Sequence, residues 1–308
     1  MPDQHRQFYA QLPFLVLGAL DAVGQPWATL ISGEPGFAQA PDAQTLRVMT
    51  QPAASDPLAG ALVAGAPVGL LGLEPSTRRR NRVNGTITQS DGAGFVLHVA
   101  QSFGNCPQYI RKREVLAGDS QASTSQPVAE PPAHTLDDEA QSIIASADTF
   151  FVATYFASDA PDGAPDAAAG GTTRATHLNG GADVSHRGGK PGFVRIDDAR
   201  TLTWPEFRGN AYFNTLGNLL ANLRAGLLFA DFSTGDLLHL AGHAEILWDD
   251  EAQTGFVGAQ RLVRFHVNEM RRVRGALPTR WRYDEVSPTL ARTGDWFSGP
   301  IADAGAPV

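Results

Sequence analysis

The sequence predicts a mainly β protein with short helices, built as two small barrels in tandem, and three observations carry that reading. First, Gly33-Glu34-Pro35-Gly36-Phe37 returns as Gly189-Lys190-Pro191-Gly192-Phe193, and Thr45-Leu46 returns as Thr201-Leu202, both at an offset of 156 residues. Second, Gly69-Leu70-Leu71 matches Gly226-Leu227-Leu228, and Gly85 matches Gly242, both at 157. One single-residue insertion therefore keeps register across four landmarks. Third, the apolar runs are short and punctuated by Gly and Pro, the pattern of strands joined by turns. The period exceeds the roughly 20–50 residues of solenoid units. It matches a whole domain, so the chain reads as one domain present twice. Two like domains on one chain can build between them the cleft that a symmetric dimer builds between subunits.

Phe14-Leu15-Val16-Leu17-Gly18-Ala19-Leu20 reads as a buried strand. A turn at Val23-Gly24-Gln25 then delivers Trp27 to Ile31, whose alternation suits a half-buried neighbour. Pro35-Gly36 is the next turn and Thr45 to Met49 the third strand. Asp56-Pro57-Leu58, an N-cap followed by proline at the first helical position, predicts a short helix running to Ala64. Val68–Leu73, Arg82–Thr88 and Phe95–Val99 complete the first unit. The plan restarts at Phe150-Phe151-Val152-Ala153-Thr154-Tyr155. Aligning Phe14 with Phe150 gives an offset of 136, so 156 − 136 = 20 extra residues fall between the first two strands of the second unit. That insertion, Ser158 to His177, is rich in Asp, Pro, Ala and Gly and is expected to be a mobile loop. The expected organisation is a first barrel over 1–117, a linker over 118–135, a second barrel over 136–303 and a tail over 304–308. Closure into barrels follows because it removes exposed strand edges.

Composition narrows the function classes. Of the 308 residues 43% are hydrophobic and 18% charged, enough apolar material for two cores. A net charge of −8 argues against a nucleic-acid binder, which needs a basic face. Cys106 is the sole cysteine, which excludes an intrachain disulfide and a multi-cysteine zinc site. No apolar run approaches a membrane span and the first residues lead into no signal-type core, so a cytoplasmic protein without membrane partners is expected.

Three segments carry candidate chemistry. Trp204-Pro205-Glu206-Phe207-Arg208-Gly209-Asn210 ends a strand, and a helix starts near Asn214-Thr215 with Leu216, Leu219 and Leu220 on its inner face. Free N–H groups at a helix start with an arginine alongside suit an anion such as phosphate; simple N-capping by Asn210 or Asn214 beside a solvated Arg208 is the alternative. Asp183-Val184-Ser185-His186-Arg187-Gly188-Gly189 is polar where the first unit has the apolar Trp27 to Ile31, a local departure of the kind found at functional sites. Lys190 makes no phosphate loop, because Val184 stands where the first glycine is needed and Pro191 where the hydroxyl residue is needed. In the first unit, Arg78, Arg80 and Arg82 share one face if their segment is a strand. The turn Asn105-Cys106-Pro107 follows. Cys106 reads as a small buried residue more readily than as a nucleophile. The histidines carry no metal-ligand spacing.

These strings resemble the pyridoxamine 5′-phosphate oxidase-related, FMN-binding split-barrel proteins, in particular their two-barrel flavin-nucleotide-binding branch. The resemblance rests on Asp183 to Gly189 with Pro191-Gly192-Phe193-Val194, and on Phe207-Arg208-Gly209-Asn210 with Phe213-Asn214-Thr215-Leu216-Gly217-Asn218-Leu219. In the first unit it rests on Thr77 to Gly85 and Phe103-Gly104-Asn105-Cys106-Pro107-Gln108-Tyr109-Ile110. It runs from about Phe8 to Trp281. It implies tandem FMN-binding split β-barrels with FMN in the cleft between them. Carried over by position, the phosphate would lie by Arg208, Gly209, Asn210, Asn214 and Thr215. The ribityl chain and ring would run along Ser185, His186 and Arg187. From the asymmetry of the two units, the first is expected to lend Arg78, Arg80 or Arg82 and the Asn105-Cys106 turn to one composite site.

The resemblance has limits. The arginine–lysine pair that grips phosphate in the oxidases is absent from Arg208-Gly209-Asn210, and their pyridoxal-phosphate contacts have no counterpart. Fold and flavin therefore carry over, whereas vitamin B6 oxidation does not. Some members of the branch are fused to a ferredoxin-reductase-like module; no such module precedes Val308, so a separate reductase or reduced nicotinamide is the expected electron donor. The expectation is an FMN-dependent oxidoreductase, monomeric or homodimeric. The alternatives are a non-catalytic flavin carrier or sensor, or a split barrel holding deazaflavin or haem, the last kept open by His186 and His239.

Overall fold

The computed structural model describes residues 1–116, 126–157, 180–209, 212–248 and 256–296. The first unit runs α1 (Asp3–Ala10), β1 (Phe14–Leu20), β2 (Pro26–Ser32), β3 (Ala38–Asp42), β4 (Thr45–Val48), β5 (Pro67–Glu74), β6 (Arg79–Asp91) and β7 (Gly94–Gly104). Short strands β8 (Arg113–Val115) and β9 (Val128–Ala129) follow. The second unit runs α2 (Asp138–Ser146), β10 (Thr149–Phe156), β11 (Gly181–Gly188), β12 (Arg195–Asp198), β13 (Thr201–Phe207), α3 (Asn214–Ala221), β14 (Arg224–Ala230), β15 (Leu237–Leu247) and β16 (Ala259–Arg274). Finally, β17 (Trp281–Tyr283) pairs with β8.

The expected duplication is present strand for strand. The first sheet has the order β2-β1-β5-β6-β7-β4-β3 and the second β11-β10-β14-β15-β16-β13-β12, all antiparallel and with the same connections. Register agrees as well. Leu17 pairs with Thr29 and Leu70, and Val152 pairs with Ser185 and Leu227, so the first strands correspond at 152 − 17 = 135 rather than the expected 136, and the insertion before the second strand is 156 − 135 = 21 residues. Both sheets break register at the glycine of the repeat, between Asn84 and Gly85 and between Ala241 and Gly242. There a Cβ would strike the carbonyl of His98 or His266 on the next strand. The Gly-x-Pro-Gly-Phe turn is also built twice. Phe37 N donates to Glu34 O and Phe193 N to Lys190 O, each at 2.9 Å. Gly36 and Gly192 hold φ of +100° and +84°, which disfavours any side chain.

Each unit has its own core, and a third cluster joins them. Val16 and Leu71 from one barrel meet Phe151 and Leu228 from the other, all fully buried. Two repeated glycines let the backbones close on each other. A Cβ at Gly69 would lie 2.8 Å from Asp183 Cα, and one at Gly226 would lie 2.7 Å from Trp27 Cα. Since 27 + 156 = 183, the two contacts are exchanged by a pseudo-twofold axis through the interface.

Some elements differ from expectation. The helix expected from Asp56 is a run of turns: Asp56 Oδ1 accepts from Leu58 N (2.8 Å), and Gly60 and Gly65 take φ of +74° and +91°, outside helical backbone. The helices α1 and α2, each leading into the first strand of its unit, and the edge strands β3 and β12 were not foreseen. The segment expected as linker lies partly outside the described residues, but its end carries β9, which pairs with β16. Arg272 there binds Glu130 (2.6 Å) and Asp137 (2.5 Å), fastening this end to the second sheet. The insertion from Ser158 to His177 and the tail lie outside the described residues.

Candidate functional site

Between the barrels, on the side of the axis where β6 faces β11, lies a cavity of about 350 Å³. Its lining includes Arg80, Arg82 and Asn105 from the first unit, and Ser185, His186, Arg187, Arg208, Gly209, Asn214 and Thr215 from the second. Residues of both units thus line this cavity.

Its floor is a buried polar cluster. Arg82 is 7% exposed and Asp183 4%, and their ion pair closes at 2.9 Å. Asn84 Nδ2 donates to the same carboxylate (3.1 Å). Arg82 Nη2 donates to Ser185 Oγ (2.5 Å), and Thr215 Oγ1 donates to Ser185 Oγ (2.7 Å). With its amide turned to satisfy both ends, Asn214 accepts from Arg82 Nη1 at 3.3 Å. Arg82 Nε is buried with no protein partner. Burial pushes the Arg82 pKa down against the opposing pull of Asp183. The helix α3 opens directly on this floor. Its N-cap position is Phe213 in left-handed backbone (φ 55°), which offers no side-chain cap, so the first N–H groups of the helix are not taken by a capping side chain.

A second group sits beside it. Arg80 Nε donates to the Cys106 carbonyl (2.7 Å), and its Nη1 lies 3.1 Å from His186 Nδ1. Burial, with Arg82 and Arg187 nearby, pushes the Arg80 pKa down to about 10. The same burial and neighbouring arginines hold His186 neutral, its pKa well below the ordinary value. Guanidinium groups only donate, so His186 accepts at Nδ1 and carries its proton on Nε2. That Nε2, like Asn105 Oδ1, is buried without a partner. Arg187 Nε binds Glu206 Oε1 at 2.5 Å, and Trp204 Nε1 donates to the same oxygen (3.0 Å).

Aromatic rings form the walls. Tyr109 stacks on Phe207 with ring centres 5.1 Å apart, and its hydroxyl donates to the Arg208 carbonyl (3.1 Å). Tyr212 and Phe213 stand exposed at the mouth, with Arg261 over the Phe213 ring. None of these residues, nor Glu206 or Gln260, was assigned to the site from the sequence, although Tyr109, Glu206, Phe207 and Phe213 lie in the strings singled out there. Charge is the dominant property: among the described residues the lining holds five arginines and one carboxylate, Glu206, in a protein of net charge −8.

Two expected site residues, Arg78 and Cys106, fall elsewhere. Arg78 precedes β6 in left-handed backbone (φ 58°), which breaks the alternation with Arg80 and Arg82. Its guanidinium turns away to the carbonyls of Ile110 (3.0 Å) and Val286 (3.1 Å). Cys106 offers its carbonyl to Arg80 but does not line the cavity. Asn210 lies outside the described residues. Arg208 lines the mouth but is exposed, so the deep arginine is Arg82. His239 is buried away from the cavity against Thr29 and Asp56.

Fold and site together define a duplicated barrel protein whose described residues form a strongly basic cleft between its halves. The family model for pyridoxamine 5′-phosphate oxidase matches residues 1–122 and 136–283, one segment per barrel, and the chain belongs to that family of split barrels. Among solved structures, HupZ from Group A Streptococcus is 17% identical, with 43% of this chain and 89% of that chain covered and a TM-score of 0.30. A protein from Clostridium acetobutylicum related to general stress protein 26, of the pyridoxinephosphate oxidase family, is 14% identical, covers 48% of this chain and 92% of its own, and gives a TM-score of 0.28. Comparison with curated proteins finds no match. Among the described residues no helix is long and apolar enough to cross a membrane, and no group of three or more His, Cys, Asp or Glu could hold a metal ion.

Proposed function

We propose that the cleft binds FMN and that the protein is an FMN-dependent oxidoreductase. One observation carries the reading. Five arginines converge on a single cavity that faces a helix start without a side-chain cap. A phosphate monoester would be held there by the uncapped N–H groups of the α3 start and by the surrounding guanidinium charge. In this reading Arg82, Ser185, Asn214 and Thr215 hold the phosphate. Arg80, His186 and Arg187 lie along the rest of the ligand, with Tyr109 and Phe207 offering flat apolar surface. The volume is within the range of cofactor pockets. The single phosphate locus favours FMN over FAD, which carries a diphosphate and an adenosine.

The fit is chemical as well as electrostatic. FMN supplies hydride or single-electron transfer when bound, while the protein orients it and sets its electrostatics. His186, neutral and protonated on Nε2, presents one hydrogen-bond donor and no charge. The arginines favour a negative charge developing on the ligand. A separate reductase or reduced nicotinamide would serve as electron donor.

The absorbance spectrum of the purified protein, followed by FMN titration, tests the cofactor, since flavin, deazaflavin and haem absorb differently. Aerobic consumption of reduced nicotinamide by the FMN-loaded protein then separates an enzyme from a carrier or sensor. A protein that binds haem and ignores FMN would overturn the reading.

A further inference from the structure

Duplication about a twofold axis places two equivalent faces between the barrels, and among the described residues the one lined by Arg82 is open and basic while its counterpart around Thr29 and His239 is buried. The register identifies the residues that face the opposite side. Thr29 corresponds to Ser185, since both pair with equivalent residues of the first strand. Likewise Leu70 pairs with Val83 and Leu227 with Leu240, which makes His239 the counterpart of Arg82. These counterparts do meet: His239 Nε2 lies 3.2 Å from Thr29 Oγ1, as Arg82 meets Ser185. The third member differs. On the open side Thr215, at the start of α3, donates to Ser185. On the closed side the hydroxyl of Thr29 donates to the carboxylate of Asp56, whose other oxygen accepts from Leu58 N (2.8 Å). All three groups are out of solvent, with Thr29 and His239 at 0% and Asp56 at 9% exposure. The arginine has become a neutral histidine, and the buried carboxylate is supplied by Asp56 in place of Asp183, whose counterpart on this side is Trp27.

We infer that the second cleft is occupied by the chain's own anion, with Asp56 doing on that side what a bound anion does at Arg82, so that the chain takes one anionic cofactor. The cofactor, and with it the comparison to an anion bound at Arg82, rests on the FMN reading above; the contacts of Asp56 and their contribution to stability do not. A carboxylate held by a backbone N–H and a hydroxyl, with the neutral His239 reaching it through that hydroxyl, is a small anion site with its ligand covalently attached. It joins the two barrels, since Thr29 and Asp56 come from the first and His239 from the second. Burying His239 beside this carboxylate also excludes a second ligand, because both the space and the charge are already taken.

Two measurements test this on the full chain. Fluorescence titration of the wild type with FMN is expected to saturate at one FMN per chain; two would overturn the inference. Asp56→Gly removes the anion and leaves room for a carboxylate. Its melting temperature is expected to fall by several degrees. Sodium acetate should then restore it further than sodium chloride at equal ionic strength, while the wild type shows no such preference. An Asp56→Gly protein that responds equally to both salts would overturn the inference. Should that variant fail to fold, Asp56→Asn keeps the shape and removes only the charge. It is expected to melt below the wild type, and an unchanged melting temperature would overturn the inference. A wild type that binds no FMN would sink the cofactor reading and leave the two stability arms to decide the role of Asp56.

Discussion

Arg82 carries two burdens that a pair of substitutions can separate. Its guanidinium neutralises Asp183 at 2.9 Å with both side chains under 10% exposed, and it is also the arginine deepest in the cleft. Arg82→Met leaves a buried carboxylate with only Asn84 and Ser185 nearby. Breaking one partner of a buried pair costs about 3–5 kcal/mol, because the remaining charge is stranded. Adding Asp183→Asn removes that stranded charge, and Asn84 can still donate to the new amide oxygen, so most of the stability is expected to return. Ligand binding is not expected to return. Losing one charge-assisted hydrogen bond to a phosphate costs about 1.5–3 kcal/mol, or about 10- to 150-fold in affinity. Urea unfolding reads the first effect and FMN titration the second. A double variant that recovers stability and binds FMN like the wild type would refute the phosphate assignment. An Arg82→Met single variant as stable as the wild type would refute the stranded-charge argument.

Arg208→Ala is expected to weaken FMN binding by no more than about 1 kcal/mol, because an exposed arginine acts through water; a loss as large as that from Arg82→Met would reverse their ranking. Gly226→Ala puts a methyl 2.7 Å from the Trp27 backbone, which cannot yield as a side chain does. About 1–3 kcal/mol of stability should be lost, together with FMN affinity, since the cleft needs both barrels in place; calorimetry and titration read the two. The pH dependence of folding has a definite sign. His186 and His239 are buried and neutral, with pKa values below the ordinary 6.5. The unfolded chain therefore takes up protons that the folded chain refuses. Their contribution is fully present above pH 6.5 and is lost as pH falls from there toward the folded values. Each contributes a slope of up to about 1.4 kcal/mol per pH unit. Urea unfolding between about pH 5 and 7 should show it, and His186→Gln or His239→Gln should each flatten it; unchanged slopes would mean that these rings are not the groups being titrated.

The duplication was legible because its landmarks are steric requirements that hold in both copies. Gly85 and Gly242 sit where a next-strand carbonyl leaves no room for a Cβ, and Gly69 and Gly226 sit where one barrel's backbone meets the other's. Such positions resist change after the surrounding side chains have diverged. Much of the cleft was legible for the opposite reason. On β11 an apolar strand became Asp183-Val184-Ser185-His186-Arg187, and a sheet surface that gives up hydrophobic burial needs another use for those side chains. Tyr109 and Phe207 lie in strings that the sequence singles out, but nothing local gives them a place in the site, and nothing marks Tyr212 or Arg261 there; the four become neighbours only when segments of both units converge. Arg78 was misplaced because alternation holds only within a strand, and its left-handed backbone lies one residue before β6 begins. Asp56 marks the deepest limit of local reading. A carboxylate followed by proline is equally good as a helix cap or as the cap of a turn, and both uses satisfy the same Leu58 N–H. What distinguishes them is the second carboxylate oxygen, bound to a hydroxyl 27 residues away and facing a histidine of the other barrel. The same residue is thus a turn former by its sequence and an interface anion by its fold.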